Sequence, residues 1–204
     1  GDKTGISLNT ASENGGGIYS EGSSKMTMTG GVISENTAKI GGGFRNGSWI
    51  DQGVVFDGTH ITGNTASDQG GGGYANRVTL RNATITDNTT LRWNKNKQIG
   101  DITGAAGLYV NEKLILGQDG AEKDETAITG NHTTDNRDSN LGMWRQTDSK
   151  TLIASNRENN VELLCPFAGS IRVSIPGDSG TKFGVSGNRD WLDPGLNLTL
   201  PTHE

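Results

Sequence analysis

Apolar residues return along this chain at a regular step, inside a four-residue phrase that opens with isoleucine and closes with asparagine. The copies are Ile6-Ser-Leu-Asn9, Ile33-Ser-Glu-Asn36, Ile61-Thr-Gly-Asn64, Ile85-Thr-Asp-Asn88, Ile128-Thr-Gly-Asn131 and Ile153-Ala-Ser-Asn156. Their asparagines lie 27, 28, 24, 43 and 25 residues apart. In the third copy, Thr59 to Ile61 and Val78 to Leu80 alternate apolar and polar positions, as half-buried strands do. Gly72 to Ala75 forms a third piece, and its Tyr74 returns as Tyr19, Phe44, Tyr109 and Trp144 in other copies. Gly, Asn, Asp and Ser fill the corners between the pieces, where turns with positive φ are expected. No window carries a helical period.

A period of about 20–50 residues marks stacked supersecondary units, each unable to bury its apolar face alone. Three short strands per unit predict an all-β chain, a single-stranded right-handed parallel β-helix. Successive turns of such a helix stack about 4.8 Å apart, the spacing of paired strands. An asparagine at the same corner of every turn can then pass amide hydrogen bonds up and down a dry interior, since each amide is both donor and acceptor. Asn9, Asn36, Asn64, Asn88, Asn131 and Asn156 are therefore read as an interior structural ladder. Asparagine also tolerates the left-handed conformation that a sharp corner needs. The glycine runs Gly15 to Gly17, Gly41 to Gly43 and Gly70 to Gly73 are read as structural too. A phosphate-binding loop would require a preceding strand, a following helix and a Lys-Ser/Thr pair, and none is present.

The step lengthens between Asn88 and Asn131. Two segments hold the excess, 89–102 and 117–126, so an insertion is placed at about 89–127. The glycine run survives there as Gly104 to Tyr109 and then as Leu141 to Trp144. Beyond Asn160 come Val161 to Leu164, Ser170 to Ile175 and Lys182 to Ser186, strand-like pieces without glycine corners. Residues 1–160 are accordingly assigned to the stacked turns and 161–204 to the last turns and a C-terminal cap, since the end of a stack must hide its open edge.

Composition adjusts this picture at a few points. Hydrophobic residues make up only 30% of the 204, which a thin repeated core tolerates. The formal net charge of −5 gives no basic stripe for nucleic acid. No apolar run approaches the ~18 residues that span a bilayer, so this segment is not expected to insert in a membrane. The N-terminal residues are not a signal peptide, and the repeat already runs at Ile6, as if the chain were a piece of a longer one. Cys165 is the only cysteine, and its apolar neighbours suggest a small buried hydrophobe.

Where Ile61-Thr-Gly-Asn-Thr-Ala66 meets Gly70-Gly-Gly-Gly-Tyr74, the chain resembles the Gly/Asn-rich right-handed β-helix repeats of large cell-surface adhesin-like proteins, mostly of Gram-positive bacteria. It is similar also to the repeats of polymorphic outer-membrane adhesins. Such repeats are often followed by a segment like Asn160-Val-Glu-Leu163, Ile171-Arg-Val173 and Gly184-Val185. The resemblance covers about residues 6 to 186. It implies an extracellular location on a bacterial cell surface and a binding role toward host glycoproteins, glycans or other proteins.

Catalysis finds little support in the residues. Polysaccharide hydrolases need carboxylates converging at about 5–9.5 Å. Glu35 and Asp87 share the position before the ladder asparagine but are two repeats apart, with Gly63 between them and Leu8 before them. Asp119, Glu122, Asp124 and Glu125 crowd one loop with Lys123 among them, and lack the spacing of a Ca²⁺ loop. A solvated acidic loop is the simpler reading and a weak Ca²⁺ site the other. His60, His132 and His203 are dispersed, without a second ligand at metal spacing. No catalytic residue, metal site or cofactor is assigned.

Candidate binding residues are Arg92, Trp93, Lys95 and Lys97 in the insertion, and Trp49 in a turn of the second repeat. Aromatics and arginine anchor interfaces, and an indole among positive charges suits a sugar face or a protein pocket. Trp93 folded back on the strands is the competing reading, as is a packing role for Trp144 and a cap role for Trp191. The expected function is a non-enzymatic cell-surface binding domain for a host or community macromolecule. A mucosal protein partner, secreted immunoglobulin or a mucin-type glycoprotein, is favoured over free glycan because aromatics number only 11 of 204. A passive stalk and a polysaccharide-active enzyme are the alternatives.

Overall fold

The computed structural model describes residues 4–23, 25–48, 53–91, 105–134, 136, 139–143, 161–165, 167–172, 183–186, 188–192 and 197–198. Their regular structure is entirely β. The chain visits three sheets in turn and returns to the first one strand further along. In the first sheet Gly5–Ser7, Val32–Ser34, His60–Thr62, Thr84–Thr86, Ala127–Ile128 and Ser170–Arg172 pair in parallel. The second holds Thr37–Ile40, Thr65–Gln69, Thr89–Thr90 and His132–Thr133, again parallel. In the third, Gly73–Arg81 and Leu108–Leu116 lie side by side over their full length. Ile18–Ser20 and Phe44–Asn46 extend the first half of that pair, Met26–Thr29 and Val54–Asp57 the second.

The repeated isoleucines form one column through the first sheet. Ile6, Ile33, Ile61, Ile85, Ile128 and Ile171 are register partners in succession. From Ile33 onward each is at most 1% exposed. Opposite them the third sheet contributes Phe44, Val54, Phe56, Val78, Leu80, Leu108, Leu114, Leu116 and Leu141 to the same core. Full burial of one such side chain is worth about 1.5–3 kcal/mol, so a few per repeat suffice.

The amide ladder is present. Asn9, Asn36, Asn64 and Asn88 each donate the backbone N–H and the Nδ2–H to the Oδ1 of the next repeat's asparagine, at 2.9–3.0 Å. The Nδ2 also donates to the preceding isoleucine column, Asn64 to the carbonyl of Ile33 and Asn88 to that of Ile61, both at 2.9 Å. The Ile-x-x-Asn spacing thus joins two repeats.

Four expectations need correction. First, the left-handed corner residue is not the ladder asparagine but the one before it: Leu8, Glu35, Gly63, Asp87 and Gly130 have φ of 60, 55, 66, 56 and 68°. Asparagine is thereby free to point inward. Second, the ladder does not run from Asn131 to Asn156. Both Asn131 donors end on Asn140 Oδ1, at 2.8 and 3.0 Å, and the isoleucine column passes from Ile128 to Ile171. Asn156 itself lies outside the described residues. Third, Gly73 to Ala75 and Val78 to Leu80 belong to one strand, Gly73–Arg81, with a register shift between Ala75 and Arg77, and Gly72 lies just before it. The other strand of the repeat is Thr65–Gln69, where corners were expected.

Fourth, Phe44 and Trp144 do not share the tyrosine position. Phe44 stands in register with Ile18 and Gly73, its ring 4.6 Å from that of Phe56 in the core. The register partner of Tyr109 is Gly142, two residues before Trp144.

One of the two lengthened segments lies among the described residues. Residues 81–83 of one repeat correspond to 117–126 of the next, between the pairs Leu80↔Leu116 and Thr84↔Ala127. Of 89–102, only 89–91 are described. Further on, Val161–Leu163 and Phe183–Ser186 continue the third sheet in parallel. Asn188–Leu192 pairs antiparallel with Phe183–Ser186, and Asn197–Leu198 antiparallel with Ser170–Arg172 of the first sheet.

Candidate binding surface

Along the third sheet Ile18, Phe44, Gly73 and Leu108 are successive register partners on the inner side, and the residue after each faces outward. Those outward residues are Tyr19, Arg45, Tyr74 and Tyr109, consecutive register partners. Strand spacing brings them into contact as one stripe. The Arg45 guanidinium lies 5.5 Å from the ring centre of Tyr19 and 5.6 Å from that of Tyr74. Tyr74 stacks on Tyr109, with ring centres 5.2 Å apart and planes 11° from parallel. Arg45 Nη1 donates to the Tyr19 hydroxyl at 3.3 Å and stands 3.8 Å from the Glu21 carboxylate.

Exposure falls along the stripe. Tyr19 is 47% exposed, Arg45 and Tyr74 are partly buried, and Tyr109 is 2% exposed against Ala105. The Glu21 carboxylate, hydrogen-bonded to the Tyr19 hydroxyl, holds that phenol above its ordinary pKa. Burial does the same for Tyr74. Both therefore remain neutral hydroxyls at physiological pH. Arg45 Nε is buried without a partner, an unmet donor within the stripe.

Behind the stripe a second, smaller set of amides follows the same corner. Asn46 Nδ2 donates to Ser20 Oγ at 3.4 Å, Asn76 Nδ2 to the Gly47 carbonyl at 2.8 Å, and Asn111 Nδ2 to Asn76 Oδ1 at 3.1 Å. Next to it, Arg77 and Glu112 form an ion pair at 2.8 Å. Sequence reasoning missed Arg45 and this second set. The signal was available in Tyr74-Ala-Asn76 beside Tyr109-Val-Asn111, but it was masked by treating Phe44 as the aromatic of its repeat.

The residues proposed from the sequence, Trp49, Arg92, Trp93, Lys95 and Lys97, lie outside the described residues. The acids of 119–125 are described, and they do not act as one group. Asp119, Glu122 and Glu125 are exposed, whereas Asp124 turns inward and is 1% exposed. Its Oδ1 accepts from the Asn82 backbone N–H at 2.6 Å and from Thr126 Oγ1 at 3.1 Å, while Asn82 Oδ1 accepts the Glu125 N–H at 2.9 Å. Asp124 thus fastens the enlarged corner to the repeat before it. Burial raises its pKa, hydrogen bonds from Asn82 and Thr126 oppose the effect, and the neighbouring Asp57 adds to it.

Among the described residues no three His, Cys, Asp or Glu side chains are grouped as metal ligands. Cys165 is a buried free thiol, 3% exposed. His60 Nδ1 shares a 2.7 Å hydrogen bond with Thr84 Oγ1 on the outer face of the first sheet. No protein-family description, curated protein or solved structure matches the chain.

Proposed function

We propose that the three parallel sheets close into a right-handed parallel β-helix, and that the chain is a non-enzymatic adhesin-like domain of a bacterial cell surface. Its outer third-sheet face binds a host or community macromolecule. The single observation that carries the binding reading is the Tyr19–Arg45–Tyr74–Tyr109 stripe. Tyrosine and arginine are the residues most enriched among interface anchors, and here they are preorganised by mutual stacking, which lowers the entropy lost on binding.

The stacking also bears on the ligand class. A sugar docks on the face of an aromatic ring, but Arg45 lies over one face of Tyr19 and one of Tyr74, and Tyr109 stacks on Tyr74. Fewer ring faces are left free, while the hydroxyls and the guanidinium suit peptide carbonyls and carboxylates. A protein partner, such as a secreted immunoglobulin or the protein part of a mucin-type glycoprotein, is favoured over free glycan on this ground.

The test is capture of partners from host mucosal secretion by the purified chain, before and after deglycosylation, beside a glycan array. Wild type is compared with Arg45→Ala and Tyr19→Ala, each checked for an unchanged β circular-dichroism spectrum. A saturable protein partner that survives deglycosylation and is weakened at least about tenfold by either substitution supports the reading, since one anchor is worth about 2 kcal/mol. Retention indifferent to both substitutions removes the stripe as the site. Binding lost on deglycosylation would return the glycan reading.

A further inference from the structure

The stripe carries a carboxylate of its own at one point. Two residues beyond Tyr19, Arg45, Tyr74 and Tyr109 stand Glu21, Gly47, Asn76 and Asn111. Asn76 and Asn111 belong to the amide row, and Asn76 reaches the Gly47 carbonyl. Glu21 turns toward the stripe instead. Its side chain lies across Gly47, where a Cβ would stand 3.1 Å from Glu21 Cγ and 3.5 Å from its Oε1. The carboxylate closes a triangle. Arg45 Nη1 donates to the Tyr19 hydroxyl at 3.3 Å, that hydroxyl is hydrogen-bonded to Glu21, and Glu21 Oε1 stands 3.8 Å from Nη1.

The two charges are held unequally. The Arg45 side chain is 22% exposed and flanked by two rings, whereas that of Glu21 is 61% exposed. Arg45 Nε is buried without a partner. A guanidinium holds a carboxylate best through short, paired N–H···O bonds of about 2.7–2.9 Å. The 3.8 Å contact with Glu21 lies outside hydrogen-bond range. An exposed pair of this length is weak. The cation is therefore fixed in place and the anion is free to leave.

We propose that Glu21 is a displaceable stand-in for an aspartate or glutamate of the partner: an acidic peptide segment seats its carboxylate on Arg45 and Tyr19 and moves Glu21 aside. The inference rests on the stripe being the binding surface, and it adds the chemistry of the partner and an internal competitor. Glu21 thereby sets selectivity. A neutral or basic segment that displaced it would recover nothing for the lost ion pair, whereas a carboxylate restores that pair in better geometry.

The test selects a phage-displayed library of random linear peptides on the purified chain. Retained peptides are synthesised, and their Kd is measured against wild type, Glu21→Gln, Arg45→Ala, Tyr19→Ala and the Glu21→Gln, Arg45→Ala pair. Glu13→Gln is the control, because it makes the same change in net charge beside Lys39 of the second sheet. The expected peptides share an Asp or Glu at a fixed position, and exchanging it for the amide weakens binding about tenfold. Glu21→Gln tightens binding about two- to fivefold, the factor an exposed ion pair is worth. That gain disappears in the Arg45→Ala background, and Glu13→Gln changes nothing. Peptides that depend on Arg45 and Tyr19 but share no acid, or gain nothing from Glu21→Gln, overturn this inference and leave the stripe as a binding surface. Weaker binding by Glu21→Gln overturns it too, since Glu21 would then contact a basic partner. So does a gain from Glu21→Gln seen only with acidic sugars of a glycan array. A selection without any peptide sensitive to Arg45→Ala or Tyr19→Ala removes the stripe, and this inference with it.

Discussion

The side-chain oxygen of Asn88 accepts two hydrogen bonds from Asn64, one from its backbone N–H and one from its Nδ2, both at 2.9 Å. Asn64 in turn accepts two from Asn36 at 3.0 Å. Asn36, Asn64, Asn88 and Asn131 are therefore each donor and acceptor to two different neighbours within a dry interior. Replacing Asn64 by Ala strands two donors on Asn36, and removes the Nδ2 donor from Asn88 Oδ1 and from the Ile33 carbonyl while leaving the backbone N–H to Asn88 in place. With about 1–3 kcal/mol for each orphaned buried group, the expected loss is about 3 kcal/mol or more by urea denaturation. Asn9→Ala, at the exposed end, is expected to cost under about 1 kcal/mol. Equal losses at the two positions would mean that the ladder is not what stabilises the interior.

The next repeat's backbone and the ladder together dictate where glycine is required. A Cβ on Gly72 would stand 2.5 Å from the Gly107 carbonyl oxygen, 2.9 Å from Asn88 Nδ2 and 2.9 Å from Ile85 Cγ2. The same glycine of other repeats faces the same amide, Gly43 at 3.1 Å from Asn64 Nδ2 and Gly107 at 2.7 Å from Asn131 Nδ2. Gly72→Ala is expected to cost at least the upper part of the about 1–3 kcal/mol typical of overpacking. Gly58 is the control: its φ is +60°, but an added Cβ would meet nothing within 4 Å. Gly58→Ala should cost only the left-handed backbone penalty of about 1–2 kcal/mol. Thermal or urea midpoints of the two variants decide between crowding and conformation.

Much of this was legible because ladder and core reuse a single phrase. Ile-x-x-Asn fixes the isoleucine column, the amide chain and the first-sheet register together, so five of the six asparagines were placed correctly. The last, Asn156, lies outside the described residues, and the oxygen that receives the Asn131 donors comes from Asn140, at a different position of the repeat. Asn140 precedes Leu141 as Gly107 precedes Leu108, and those leucines are register partners. Asparagine thus occupies the glycine position, and its own side chain fills the space that glycine leaves for the next repeat's amide elsewhere. A motif search cannot see a space filled from another position. The stripe was misread for a related reason: inward Phe44 and outward Tyr74 are both aromatic, and only register tells the two faces apart.

Asp124 gives the chain an acid-dependent term of definite sign. Burial first, and then the neighbouring Asp57, raise its carboxyl pKa, and Oδ2 is buried without a partner. A folded pKa raised above the unfolded value of about 3.9 means the favourable contribution is complete below that value and is lost as pH rises through the folded pKa. Asp124→Asn keeps an oxygen for the Asn82 N–H but cannot titrate. The stability of wild type relative to this variant is therefore expected to fall from acid to neutral pH. Urea midpoints of the pair at pH 4 and pH 7 measure it, and a gap that does not change with pH would show that the carboxyl does not titrate differently on folding.

The stripe makes a prediction on the free protein, before any partner is found. If Arg45 is held by the two rings that flank it, Arg45 and Tyr74 must be energetically coupled beyond their separate contributions. A half-exposed cation–π contact is worth about 0.5–1 kcal/mol. Arg45→Ala, Tyr74→Ala and the double variant, compared by urea denaturation, should give a coupling energy in that range. Arg45→Lys is the discriminating fourth variant. An ammonium keeps the charge beside Glu21 but lacks the flat group that lies between Tyr19 and Tyr74, so it should recover only part of the coupling. Raising salt separates the same two contributions, because screening weakens the 3.8 Å contact with exposed Glu21 more than the stacked one. A cycle that closes to zero, with Lys as good as Arg, would leave Arg45 as a solvated charge and deprive the stripe of the preorganisation on which its binding role rests.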